Sequence, residues 1–338
     1  MQRSQLIFVI SVLLGTSLTL NAQQPEKIHL INTFHIASSG GWDYIAVQPN
    51  SNKLFVSHGG QVNILDKTTG DSLGIISNTT GVHGIAFVPS LNKGYTSNGR
   101  SNNITVFDLK TNAILSQIKT GQNPDFIFYD DFSKKIITCN GKSNDLSIID
   151  PVTEKLVATI AVGGKPETAV SNNEGKIFVN IEDKNEIVAI DITKYKVQKH
   201  WSILPGKAPT GLAYDATTKR LFAGCGDNNL LLIINADNGT IVDKLPIGEG
   251  CDGVGYDAAK KLIYTSNGEG TMTVIKEVSK DKFVVAATLK TKKSARTITV
   301  DESTHKIYLP AADMEAAPTN GSWPKIISGT FQILVFGQ

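Results

Sequence analysis

The chain has 338 residues, 41% hydrophobic and 19% charged, with 33 basic against 31 acidic side chains and a formal net charge of +2. Nothing in a balance so near neutral argues for nucleic-acid binding, which rests on clustered positive charge. Three cysteines, Cys139, Cys225 and Cys251, are too few for a disulfide scaffold, and a chain of this length buries a core without one.

In chain order, Arg3 precedes an apolar run from Leu6 to Leu20 that closes on Leu20-Asn21-Ala22 before a polar stretch. This is the pattern of a secretory signal peptide cleaved after Ala22. The run is shorter than the about 20 apolar residues of a membrane span, and no Cys follows it to accept a lipid. Residues 1–22 are expected to be a leader, and residues 23–338 one domain in a periplasm or outside the cell. Loss of Arg3 leaves a net charge of about +1. The nearest thing to a basic patch, Lys290, Lys292, Lys293 and Arg296, reads as a solvated edge.

The mature chain is a repeat. Similar segments surround Asp43, His83, Asp125, Glu167, Thr210, Asp252 and Arg296, spaced 40, 42, 42, 43, 42 and 44 residues apart. Each unit reads as a short alternating strand, a turn with Asn, Asp or Lys, a second strand, a polar Asn/Gly loop, a third strand, a turn, and a fourth strand. Second strands are expected at Lys53 to Ser57, Lys93 to Ser97, Lys135 to Cys139, Lys176 to Asn180, Arg220 to Gly224, Lys261 to Ser266 and Lys306 to Leu309. Third strands end at Asp66, Asp108, Asp150, Asp191, Asn235, Lys276 and Gly337. Four short strands in about 42 residues is the signature of a propeller blade. No segment sustains a helical apolar period over three turns, so the expectation is an all-β, seven-bladed β-propeller with four antiparallel strands per blade. The seventh unit stops after its third strand, and an orphan strand from Ile28 to Ile36 precedes the first. That strand is expected to close the last blade and cover its edge.

Tyr95-Thr96-Ser97-Asn98 and Tyr264-Thr265-Ser266-Asn267 stand where YVTN-type propeller repeats carry their namesake tetrapeptide. With the Gly-x-x-Pro segments at Gly121 to Pro124, Gly163 to Pro166 and Gly206 to Pro209, the whole mature chain resembles that family, including its YncE-like members. The resemblance implies the propeller fold; the repeat motif itself is structural. Trp42-Asp43 opens a first strand and is not a WD40 signature. Leu73 stands where quinoprotein propellers put a Trp, which argues against pyrroloquinoline quinone. Neither Cys-x-x-Cys nor His-Glu-x-x-His occurs.

The residues that open the first strands, Asp43, His83, Asp125, Glu167, Thr210, Asp252 and Arg296, are expected to ring one mouth of the central channel. Polar side chains there are either solvated and mutually paired or a site for a polar ligand. Asp43, His83, Glu167 and Asp252 are the candidate ligands for a divalent cation. Asp43, His58 and His83 are expected to form a tighter cluster, a carboxylate orienting an imidazole as in acid/base work. The insertion from Ala311 to Gly329 in the last unit, with Trp323, is expected on the same face, as a lid or as a packed loop. Cys225 and Cys251 are candidates for one disulfide between adjacent blades. Two function classes follow. One is a binding or scaffold propeller for a small polar ligand, a glycan or an envelope protein; the other is a lactonase-like hydrolase using the mouth carboxylates with a metal or with His83 as base.

Overall fold

The structure, a computed structural model, describes residues 27–38, 40–316 and 324–338. The expected leader at 1–22 and Trp323 lie outside the described residues. Among the described residues the chain forms seven antiparallel sheets of four strands, and helical structure is limited to the 3-10 turns Pro89–Leu91 and Glu182–Lys184. No described helix is long and apolar enough to cross a membrane.

Blade one runs Trp42–Val47, Lys53–His58, Gln61–Asp66 and Ser72–Ile76, and blades two to six repeat this order. Blade seven is built from both termini. Its outermost strand is His29–His35, which pairs antiparallel with Gln332–Gly337, followed inward by Lys306–Ala311 and Thr299–Asp301. Phe34 of the closing strand is buried with Trp42, Leu54, Phe331 and Ile333, so closure joins core to core as well as edge to edge. The N-terminal strand thus closes the ring as expected.

Second and third strands are buried on both faces, as in Leu54 to His58 and Val62 to Leu65, because each sheet packs face to face against its neighbours. They therefore lose the alternation of a half-buried strand and become continuous apolar runs. Between blades three and four, for example, Ile137, Leu146 and Ile148 pack with Ile177, Val179, Val188 and Ile190. Only the outer strands, such as Ser72–Ile76, remain largely exposed.

The tetrapeptides explain themselves in this setting. Thr96 donates to Asn98 Oδ1 at 2.9 Å, and the Asn98 amide donates to Thr105 and Asn103, each at 2.8 Å. Thr138 with Asn140 and Thr265 with Asn267 build the same network in blades three and six. Each satisfies polar groups inside a sheet that water does not reach.

Candidate functional site at the channel mouth

First strands of successive blades pack side by side in a closed ring, including blade seven against blade one. Six of them carry a β-bulge at the start. In blade one the register jumps between Trp42 and Ile45, so that Asp43 and Tyr44 together face Ser57. The same shift falls after Val82, Pro124, Pro166, Pro209 and Cys251. Asp43, His83, Asp125, Glu167, Thr210 and Asp252 are therefore all bulge residues, and a bulge re-aims its side chains away from the regular ladder.

The backbone freed by the bulges is held by hydroxyls. Ser57 accepts the N–H of Asp43 and donates to the carbonyl of Tyr44, both at 2.9 Å. Further donors cross from one blade to the next: Ser97 to the carbonyl of Asp125, Thr168 to that of Thr210, and Ser266 to that of Arg296. Thr210 donates to the carbonyl of Cys251 and Thr297 to that of Asp43, each at 2.6 Å. Thr210 is buried and its hydroxyl is engaged in this ring, so its place is structural.

The charged side chains form a chain of contacts from Asp252 to Asp125 along the mouth, and a separate cluster in blade four. Asp252 pairs with Arg296, whose other nitrogen lies 3.5 Å from Asp43 Oδ1. His83 Nδ1 donates to Asp43 Oδ2 at 2.6 Å and stands 3.5 Å from Asp125 Oδ1. A Cβ at Gly99 would fall 2.6 Å from His83 Nε2, so the absence of a side chain there makes room for the imidazole. In blade four, Lys165 lies 3.2 Å from Glu167 Oε2 and grips Glu182. Asp125 Oδ1 is shielded from solvent and receives no hydrogen bond, with His83 3.5 Å away; Glu167 Oε2 is shielded as well and has the Lys165 ammonium at 3.2 Å.

These contacts set the protonation states. Burial, then the nearby Asp43 charge, pushes the Asp125 carboxyl up, against the pull of His83. Burial, then the Asp125 charge, pushes Glu167 up further, opposed by Lys165. Burial lowers His83, but its hydrogen bond to Asp43 and the charge of Asp125 outweigh it and leave the imidazole raised.

Three expectations are corrected. His58 does not join Asp43 and His83: its Nε2 donates to the carbonyl of Gly40 at 3.0 Å, its Nδ1 accepts from Ser38 at 2.7 Å, and its ring stacks on Phe331. It occupies the register of Asn98 and bridges polar groups as that Asn does, and burial lowers its pKa. The four candidate metal ligands are not brought together as expected. Asp43, His83 and Asp125 bring donor atoms within 4.8 Å of one another, whereas Asp252 is taken by Arg296 and Glu167 is held beside Lys165. Cys225 and Cys251 are both free and buried. Cys251 Sγ packs where a Cβ of Gly224 would be, while Cys225 Sγ packs against Gly206. Successive residues of a strand face opposite sides, so the neighbour of Gly224 turns its sulfur away.

Lys165 and Glu182 were not singled out from the sequence, and a signal was present. In blades one, two, three, five and six the residue after the second strand is Gly59, Gly99, Gly141, Gly226 and Gly268, each donating its N–H across to the loop before the first strand. Blade four puts Glu182 in that place, bonded to the carbonyl of Lys165 at 2.9 Å.

The described ends of the long insertion form a narrow antiparallel ribbon, with Met314 opposite Ile326 and Asp313 paired to Lys292 at 2.7 Å. Beside it lies a cavity of about 200 Å3 lined by His58, Ser38, Ile326 and Phe331. A depression of about 400 Å3 opens at the far end of the channel between Phe128, Tyr129, Asn172 and Tyr214. Neither coincides with the charged mouth. The mouth is the better candidate because Asp125 Oδ1 is buried there without a hydrogen bond, whereas both His58 nitrogens are satisfied.

No protein-family model matches the chain, and neither does any curated protein sequence. Among solved structures it is similar to Kuenenia stuttgartiensis hydrazine synthase, at 16% identity over 87% of this chain and 97% of that one, with a TM-score of 0.71. It is also similar to U3-55K, at 9% identity over 91% and 98% with a TM-score of 0.75. The RRP9 WD40 repeats superpose at 8% identity over 92% and 97% with a TM-score of 0.77. Likenesses at such identities carry the fold alone, and with the seven closed sheets they place this chain among the β-propellers.

Proposed function

We propose that the protein is an exported binding propeller that holds a positively charged polar ligand at the mouth of its channel. Export rests on the leader pattern of residues 1–22. The Thr-x-Asn networks of blades two, three and six support kinship with YVTN-type repeats. One observation carries the ligand reading: Asp125 Oδ1 is buried at the mouth and receives no hydrogen bond. A buried carboxylate without donors is costly, and a bound cation removes that cost. The charge count agrees. With Glu167 carrying its proton, Asp43, Asp125, Glu182 and Asp252 pair with Lys165 and Arg296 as fixed cations, so the mouth is anionic even when His83 is protonated.

The reading is tested by thermal shift with putrescine and with arginine, compared with glucose and with acetate. The cations should stabilise the wild type, and Asp125→Asn and Glu167→Gln should each abolish the shift. Stabilisation by the cations that survives both substitutions and disappears on Tyr214→Ala would move the site to the far end of the channel. The hydrolase reading has one observation in its favour, the His83 to Asp43 hydrogen bond of 2.6 Å, which fixes the imidazole as in general acid/base catalysis. Turnover of an aryl ester or a lactone by wild type, lost in His83→Ala, would establish it.

A further inference from the structure

We propose that Asp43, His83 and Asp125 are the ligands of a single divalent transition-metal ion at the channel mouth. The inference rests on the reading of the mouth as the binding site and names one class of cation for it. The three donor atoms come from the bulges of three consecutive blades, and all lie within 4.8 Å of one another. His83 Nδ1 is 2.6 Å from Asp43 Oδ2 and 3.5 Å from Asp125 Oδ1. Ligands about 2.0–2.2 Å from a zinc-like ion stand roughly 3.3 Å apart in a tetrahedron, so opening the Asp43 contact by about 0.7 Å admits the ion.

Asp125 supplies an observation independent of the clustering. The residue is 7% exposed, and its Oδ1 makes no hydrogen bond although it faces His83. An oxygen so placed accepts a metal without giving up an existing partner, and the bulge hydroxyls already hold the backbone: Ser57 binds the N–H of Asp43 and Ser97 the carbonyl of Asp125.

The surroundings match as well. Arg296 approaches the other oxygen of Asp43, Oδ1, at 3.5 Å, which leaves Oδ2 directed at the site. Charged groups around a ligand fix its orientation in this way in metal centres generally. Two carboxylates neutralise a divalent ion. One imidazole among them selects a borderline transition metal such as Zn2+, Mn2+ or Co2+ over Ca2+, which takes six to eight oxygens. Water would fill the remaining positions, since three protein ligands leave the coordination sphere open.

The test uses the untagged full-length mature protein, stripped with chelator and titrated calorimetrically with ZnCl2 and, in parallel, with CoCl2 followed by visible absorption. One equivalent should bind, and the cobalt form should show a d–d band. His83→Gln and Asp125→Asn, checked for native folding by thermal melting, should each weaken binding about tenfold or more. His200→Ala, which removes an exposed His paired with Glu186 elsewhere on the ring, should leave affinity unchanged. Absence of binding, or one-equivalent binding that survives both mouth substitutions, overturns the metal site. If putrescine still stabilises the wild type in an Asp125-dependent way, the metal inference alone is lost; if neither cation binds at the mouth, the binding reading is lost with it.

Discussion

At the end of the propeller away from the mouth, Asp66, Asp108, Asp150 and Asp191 each close a hairpin turn; at the mouth, Asp43, Asp125, Glu167 and Asp252 ring the channel. The turn carboxylates are supplied with donors. Asp150 Oδ1 accepts the N–H groups of Val152 and Thr153, both at 2.9 Å, and Asp66 Oδ1 those of Thr68 and Thr69 at 2.8 and 3.0 Å. Backbone N–H groups, with Lys135 beside them, hold Asp150 down to about 2, and the Thr193 hydroxyl with Lys194 does the same for Asp191. At the mouth the same chemical group meets burial and like charge instead, so Asp125 and Glu167 are raised. A carboxylate held low by the backbone is part of the fold. One held high, with an oxygen left over, is waiting for something the fold does not provide.

The sharpest break of this comparison is at Asp301, a far-end acid that is 4% exposed. It accepts Lys67 at 2.7 Å across the seam between blades one and seven, and the hydroxyls of Ser303 and Thr304, each also at 2.7 Å. Asp301→Ala strands a nearly buried ammonium and should cost about 3–5 kcal/mol, read from the urea midpoint. Asp150→Ala removes the acceptor of two turn N–H groups and should cost about 1–2 kcal/mol. If either substitution is neutral, the far-end acids are not structural in the sense argued. Thr210→Val probes the one mouth position assigned to the fold: it deletes the bond to the Cys251 carbonyl and should cost about 1 kcal/mol. Ligand affinity should not change, and a loss of binding would return Thr210 to the site.

Much of this architecture was legible because turns and repeats are local. The Asp-x-x-Thr-Gly hairpin at Asp66 to Gly70 announces itself, Gly70 taking a φ of 82° that most side chains avoid. The missing fourth strand of the last unit called for the closing strand at His29–His35. Which charges pair around the mouth was not legible, because it depends on side-chain reach across blades. Nothing in the sequence says that Arg296 takes Asp252 and leaves Asp125 to face His83. Two other misreadings were avoidable. His58 follows Val56-Ser57 as Asn98 follows Thr96-Ser97, which marks it as a stand-in for a structural Asn. Strand alternation already separates Cys225 from the face of Gly224.

The smallest expected effect tests the mouth by titration. Glu167 has an ordinary carboxyl value of 4.5 when unfolded and is pushed up to about 8 in the folded chain, first by burial and then by Asp125. Below about pH 4.5 both states carry the proton and the position costs nothing. Between about 4.5 and about 8 the unfolded chain releases it while the folded chain retains it, so the folded state binds more protons and stability falls as the pH rises. Above that range the slope ends. Glu167→Gln cannot ionise and should lack this decline. Its melting temperature, measured in EDTA so that no bound cation offsets the charge, should match wild type at pH 4.5 and exceed it by pH 8.5. The gain should be modest, because Lys165, 3.2 Å from Glu167, is left without that partner in the variant. A difference that stays constant across the range would mean that Glu167 is ionised throughout, satisfied by Lys165 as the far-end acids are by their turns. The contrast between the two ends would then rest on Asp125 alone.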